Sequence, residues 1–338
     1  MEQDEINQLK ALLSTPKKIV IVPHKNPDGD ALGSTLALYQ YLKKSGHDAK
    51  LIAPNDYPQF LKWLPFEEKV IKFDQQNTLA VKLIEEADLI FTLDFNHLSR
   101  TGDMEKVLSD ATAAFIMIDH HQQPDDYAEV TYSDVHICST CQMVYHTLEM
   151  LDATGSIDAD MATCLYTGIM TDTGSFRFRS TSSLTHRVIA QLIDKGADNA
   201  FIHQQIYDAN SPKRMQLLGT ALSNLKILPE FKAAYITLTQ EELDAYNYEK
   251  GDTEGFVNYA LSLQDTQLAL IFIENKQEGI IKISLRSEGD FSVNEMAREH
   301  FHGGGHINAA GGRSERSMTE TVDYFISILS QYKYALNA

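Results

Sequence analysis

Four short apolar runs, each giving way to polar or acidic residues and separated by stretches of helical periodicity, leave this chain few architectures to choose from. They are Lys18-Ile-Val-Ile-Val-Pro23, Ala49-Lys-Leu-Ile-Ala53, Asp88-Leu-Ile-Phe-Thr-Leu93 and Ala113-Ala-Phe-Ile-Met-Ile118. Strands that read as continuous apolar runs are covered on both faces, and strands alternating with helices pair in parallel. The expected fold is therefore α/β, a parallel β-sheet with helices on both faces. From Cys138 to Leu225 the pattern turns mainly helical, with helices expected over Ile157 to Met170, Ser183 to Lys195 and Pro212 to Leu225, and Gly196 as a helix stop. A second group follows, with strands at Ala233 to Thr239, Gln267 to Glu274 and Gly279 to Arg286 and a final helix from Thr319 to Tyr334. The expected division is a first domain over 1–210, a helical connector over 211–229 and a smaller α/β domain over 230–338, with the active-site cleft between the two domains.

In parallel sheets ligands bind beyond the carboxyl ends of the strands, and those ends are where this sequence concentrates acids and imidazoles. The first strand runs into His24-Lys-Asn-Pro-Asp28-Gly-Asp30, where Pro27 and Gly29 favour a turn and three ligand-type side chains share one loop. Asp94 follows the third run, Asp119-His120-His121 the fourth, and Asp172 ends an otherwise apolar helix. Singly, an Asp after a strand is more often a helix cap and a His pair more often a surface feature. Together, carboxylates gathered at one sheet edge repel one another unless cations hold them.

The formal net charge of −18 argues against a long nucleic-acid partner, since each neutralised phosphate needs a local cation. Small anions remain acceptable substrates where bound ions supply the positive field. No apolar run approaches the roughly 20 residues a membrane span requires, and the acidic start Met1-Glu-Gln-Asp-Glu5 is unlike a signal peptide; a cytoplasmic protein away from membranes is expected. Cys138, Cys141 and Cys164 are too few and odd in number for a disulfide scaffold. Cys138-x-x-Cys141 lacks a second pair, and the apolar helical pattern after it reads as a buried helix face.

His24-x-x-x-Asp28-x-Asp30, Asp94, Asp119-His120-His121 and Asp172 resemble, in order and separation, the four motifs of the DHH phosphoesterase superfamily. Gly303-Gly-Gly-His306-Ile-Asn-Ala-Ala-Gly311-Gly312 resembles the signature of the DHH-associated C-terminal domain, which family II inorganic pyrophosphatases do not carry. The resemblance implies that His24 and Asp28 hold one divalent ion, Asp30, His120 and Asp172 a second, and Asp94 both, with Asp119 orienting its neighbours. Mixed imidazole and carboxylate donors suit Mn2+, with Mg2+, Co2+ or Fe2+ as substitutes. His121 is the candidate for stabilising or protonating the leaving group, and Arg100 is either a phosphate contact or a solvated loop arginine.

In the second domain the three glycines permit close backbone approach to a ligand, and Ala309, Ala310 and Gly311 suit a tightly packed helix start, an anion-binding arrangement. By the same resemblance Arg286, Gly304, Gly305 and His306 meet a terminal phosphate or the base. Lys282, Arg286, Arg298, Arg313 and Arg316 are balanced by Glu288, Asp290, Glu295, Glu299 and Glu315, which fits a pocket for one or two phosphates. The resemblance is nearest to the nanoRNase and pAp-phosphatase branch. It implies hydrolysis of oligoribonucleotides of about two to five nucleotides and of 3′-phosphoadenosine 5′-phosphate, and leaves a homodimer open. The rival expectations are a phosphodiesterase for linear or cyclic dinucleotides and, in another class, a non-catalytic nucleotide sensor.

Overall fold

Lys18–Pro23 (β1) places Ile19 and Ile21 on one side and Val20 and Val22 on the other, and all four are buried. Alternation with both sides apolar requires cover on both faces. The computed structural model, which describes residues 1–337, supplies that cover. Two compact units divide the chain, Met1–Ala209 and Asn210–Ala338.

In the first unit β1 is joined by Asp48–Ala53 (β2), Val70–Lys72 (β3), Leu89–Leu93 (β4), Ala114–Asp119 (β5) and Val130–Ser133 (β6), in the order β3-β2-β1-β4-β5-β6. Every pairing is parallel. One face is covered by helices Gln3–Leu12 (α1), Gly29–Lys44 (α2), Thr140–Met150 (α5), Ala159–Asp172 (α6) and Ser183–Asp194 (α7). Asn77–Glu85 (α3) and Glu105–Ser109 (α4) cover the other, and Asn199–His203 (α8) closes the unit. The expected α/β architecture is thus the observed one. The strand order reverses between β1 and β4, and such a switch point opens a crevice at the strands' carboxyl ends. The loops carrying His24 to Asp30 and Asp94 leave the sheet there.

The second unit has a mixed sheet of Lys226–Leu228 (β7), Ala233–Leu238 (β8), Leu268–Asn275 (β9), Ile280–Ser287 (β10), Gly304–Gly305 (β11) and Ala309–Ser314 (β12), ordered β11-β12-β10-β9-β8-β7. Helices Pro212–Ser223 (α9), Gln240–Ala245 (α10) and Phe256–Leu261 (α11) cover one face; Val293–His300 (α12) and Met318–Asn337 (α13) cover the other. The 211–229 stretch folds as part of this unit, α9 burying Leu217, Leu218 and Ala221 and β7 pairing with β8.

The small residues after His306 form a strand, not the helix start expected from their size. β12 pairs antiparallel with β10 from Ala309 opposite Arg286 to Ser314 opposite Ile281. Main-chain crowding selects the glycines here: a Cβ at Gly303 would collide with the Gly311 carbonyl. Among the described residues no helix is long and apolar enough to cross a membrane.

Candidate metal centre

β1 ends in Pro23, and the loop beyond it turns inward because Asp28 caps α2. Its Oδ1 accepts the amides of Asp30 and Ala31 at 3.0 Å each, while Oδ2 faces His24 Nε2 at 3.9 Å. Capping and a place in the cluster are therefore one geometry, one oxygen for each. Asn26, at φ 57°, locks the loop through a reciprocal pair with Asn55: its amide donates to Asn55 Oδ1 at 2.7 Å, and Asn55 Nδ2 donates back to its side chain at 2.8 Å.

Asp30, 1% exposed, lies in the first turn of α2 and points at the N-terminus of α5. Its Oδ2 accepts the Thr140 amide at 2.6 Å and its Oδ1 the Cys141 amide at 2.8 Å. Asp94, 2% exposed, follows β4 in a left-handed conformation, φ 66°, which Asp tolerates better than most residues. That turn divides its oxygens between two imidazoles: Oδ2 stands 3.4 Å from His24 Nε2 and Oδ1 3.4 Å from His120 Nε2. His120 Nε2 also lies 3.8 Å from Asp30 Oδ2 and 3.5 Å from Asp172 Oδ2.

Both imidazoles are turned the same way. His24 Nδ1 donates to the Lys25 carbonyl at 2.9 Å and His120 Nδ1 to the Ile137 carbonyl at 3.1 Å. A carbonyl only accepts, so these bonds fix the proton on Nδ1 and aim Nε2 at the carboxylates, the tautomer a metal ligand needs. His121 is held differently, its Nδ1 and its amide bonded at 2.7 and 2.9 Å to the two oxygens of fully buried Asp119. Asp119 thus orients His121. Asn96, also buried, donates to the carbonyls of His121 and Gln122 at 3.1 and 3.0 Å and fixes the turn beyond β5.

The electrostatics of the cluster suit a bound cation. Burial, and then the charges of Asp94 and Asp172, hold the Asp30 carboxyl well above its usual range. Burial opposes the charged form of His120, yet Asp172, Asp94 and Asp30 outweigh it and raise the imidazolium well above normal; His24 is raised likewise against burial by Asp94 and Asp28. Burial would raise Asp94 too, but the two imidazoles pull it well below the usual carboxylate value. Protons on imidazoles here do what a bound cation does better. Three candidate donor groups lie in the first unit, His24 with Asp28 and Asp94, Asp30 with His120 and Asp172, and Asp94 with Asp119 and His121; in each, one donor atom per residue falls within 4.8 Å of the others. Imidazole nitrogen mixed with carboxylate oxygen fits a borderline divalent ion.

Arg100 is exposed, and its carbonyl accepts the Lys25 amide at 2.8 Å. Its charge is felt at His24, whose imidazolium it disfavours, so it stands within electrostatic reach of the cluster. In the second unit Gly304 and Gly305 form β11, and the His306 amide donates to Ala309 O at 2.7 Å in the turn to β12. Arg286, opposite Ala309 in register, donates from Nη1 to Leu285 O at 2.9 Å. Asn294, which sequence reading passed over, is buried and accepts from the Gly305 amide at 2.9 Å and from Arg298 Nε at 3.3 Å. Thr140 and Asn96 were also missed. The Ser139-Thr140 step before an apolar helix was the one available signal, a helix N-terminus.

Residues 18–169 match the DHH family, N-terminal domain, and residues 231–333 the DHHA1 domain. The chain is 31% identical over 294 residues to the bifunctional oligoribonuclease and PAP phosphatase NrnA of Thermus thermophilus, covering 87% of this chain and 83% of that one. It is 39% identical to an exopolyphosphatase-related protein from Bacteroides fragilis, whose crystal structure superposes with a TM-score of 0.95 over 100% of this chain and 98% of the other. RecJ of Thermus thermophilus, crystallised in complex with Mn2+, shares the fold at 14% identity, with a TM-score of 0.56 over 97% of this chain and 54% of RecJ. The chain belongs to the DHH phosphoesterase family and carries the DHHA1 domain in its second unit.

Proposed function

We propose that this protein hydrolyses oligoribonucleotides of about two to five nucleotides to mononucleotides, and 3′-phosphoadenosine 5′-phosphate to AMP, in the cytoplasm. One observation carries the reading: Asp94 presents one oxygen to each of two imidazole-containing ligand sets. His24 and Asp28 would hold one divalent ion, Asp30, His120 and Asp172 the other, and Asp94 both, with Mn2+ the favoured metal. Such ions would, when bound, lower the pKa of a water toward neutrality and neutralise charge on phosphate oxygens. The likeness to the NrnA enzyme over most of both chains supports the substrate class, and the net charge of −18 supports short substrates over long ones.

The remaining work falls to the protein's own groups. Asp119 keeps His121 in one orientation with Nδ1–H donated to its carboxylate, which leaves Nε2 toward the leaving oxygen, able to give it a proton only from the doubly protonated ring. Arg100 contacts phosphate beside His24. Arg286 and the ring of His306, beside the close-approach strand Gly304–Gly305, receive the terminal phosphate or base.

Diadenylate, a longer RNA, cyclic di-adenylate and 3′-phosphoadenosine 5′-phosphate, each incubated with the Mn2+-loaded protein, test the proposal. Diadenylate and the bisphosphate should be consumed fastest. Preference for the cyclic compound would transfer the assignment to dinucleotide turnover, and binding without hydrolysis would make the protein a sensor.

A further inference from the structure

We infer that Arg177-Phe178-Arg179 is a nucleotide subsite, with the Phe178 ring stacking on a base and the flanking guanidiniums meeting the phosphates of the same molecule. This deepens the phosphoesterase reading and rests on it. The segment begins just past Asp172, where α6 ends. Thr173, fully buried, folds it back: its carbonyl accepts the amides of both Arg177 and Phe178 at 3.0 Å, and its hydroxyl that of Phe176 at 3.1 Å. Phe178 is thereby one hydrogen bond from the neighbour of a proposed ligand.

The fold-back requires three successive left-handed residues, Gly174 at φ 56°, Ser175 at 60° and Phe176 at 65°. L-residues disfavour that conformation, and it persists only where the surroundings enforce it. They do so here. Phe176 packs its ring against Tyr166, His186 and His203, and Ser175 Oγ bonds His203 Nε2 at 3.0 Å. With Phe176 anchored inward, Arg177, Phe178 and Arg179 are turned to solvent. Phe178 stays 37% exposed, one side of its ring lying so close to Gly174 that a Cβ there would be 2.5 Å from it. Arg177 is braced by Nε donating to Gly174 O at 2.8 Å.

Phe178 stands only partly covered between two exposed guanidiniums, a locally cationic aromatic patch on a chain of net charge −18. Aromatic rings stack on any base because every base has a π-face, and arginine suits phosphate through its planar fork. Bracing the ring beforehand reduces the entropy lost on stacking. The ligand class is therefore a nucleotide of any base, the ring reading the base and the arginines the phosphate.

Titration calorimetry of the full-length Mn2+-loaded protein with AMP and with ribose 5-phosphate separates the two contacts. Wild type should prefer AMP. Phe178→Leu keeps an apolar group on Gly174 without a π-face and should weaken AMP about tenfold while changing ribose 5-phosphate by under about twofold, the scale expected of one stacked base. Phe178→Trp should keep the preference, and Arg177→Ala and Arg179→Ala should weaken both ligands. Equal affinities in wild type, or a Phe178→Leu protein with the wild-type preference, would overturn the subsite. Release of p-nitrophenol from bis-p-nitrophenyl phosphate by the wild type is scored separately. Its absence beside an intact AMP preference would remove the hydrolytic reading and leave the subsite standing.

Discussion

The Thr140 hydroxyl donates to Oδ1 of Asp94 at 2.9 Å, from the same helix turn whose amides close on both oxygens of Asp30. The start of α5 thus holds two carboxylates that would otherwise repel, adding the positive end of a helix to three hydrogen bonds. Thr140→Val keeps the shape and removes the donor. Hydrogen bonds that orient a metal ligand typically change affinity by about 10–100-fold when lost, and that is the expected loss in Mn2+ affinity by calorimetry. Thr140→Ser should recover most of it, and a valine variant that titrates like the parent would show that Asp94 needs no such support.

Metal should act on stability as well as on rate. A ligand bound only by the folded state adds about 2.7 kcal/mol at a hundredfold excess over its Kd. With about 2–4 °C per kcal/mol for a domain of this size, Mn2+ should raise the Tm by roughly 5–11 °C and a chelator should reverse the shift. Asp94→Ala should fold, since removing it relieves repulsion on Asp30, yet show little Mn2+-induced shift and no diadenylate hydrolysis. A full shift with the alanine in place would remove Asp94 from the ligand sets.

What could be read in the sequence follows from how each feature is encoded. β1, β2, β4 and β5 were legible because cover on both faces makes them mainly apolar runs, broken only by Lys50 in β2 and Thr92 in β4, whereas the edge strands β3 and β6 are short and partly open. β12 was misread because Ala-Ala-Gly-Gly has no strand periodicity; its pairing is imposed by β10 across the sheet. Acids and imidazoles of the cluster announce themselves by following strands. Thr140 does not, since its partner lies 46 residues away and nothing local distinguishes it from any helix-starting threonine. Asn26 and Asn55 are hidden for the same reason, their bond joining loops that follow different strands.

Gly168 tests how tightly the cluster is built into the helices. A Cβ there would run into Cys141 Sγ and stand 2.8 Å from Asp30 Oδ1. Gly168→Ala gains helix propensity but overpacks a site bounded by α2 and α5, and overpacking typically costs about 1–3 kcal/mol. Chemical denaturation should show a loss in that range together with weakened Mn2+ binding, because the methyl group presses on a proposed ligand. Pairing it with Cys141→Ala should return part of the stability and less of the metal affinity, since the contact with Asp30 remains. A Gly168→Ala protein of parental stability would mean that α6 moves away freely.

The three cysteines, all free and buried, should behave as apolar side chains. Burial pushes the Cys138 thiol up to about 12, and burial likewise raises Cys164. Only the thiolate attacks a disulfide reagent, and at pH 8 a thiol with a pKa four units higher is ionised to about one part in ten thousand. Dithionitrobenzoate should therefore label no cysteine in the folded protein at pH 8 and all three in denaturant. Raising the pH toward 12 increases the thiolate fraction, so any slow native labelling should accelerate with pH. Cys138 sits at the approach to α5, its Sγ bonded to Gln142 Oε1 at 3.0 Å. Rapid stoichiometric labelling of Cys138 at neutral pH would show that the first turn of α5 opens readily, and with it the hold of Thr140 on Asp94 would be lost.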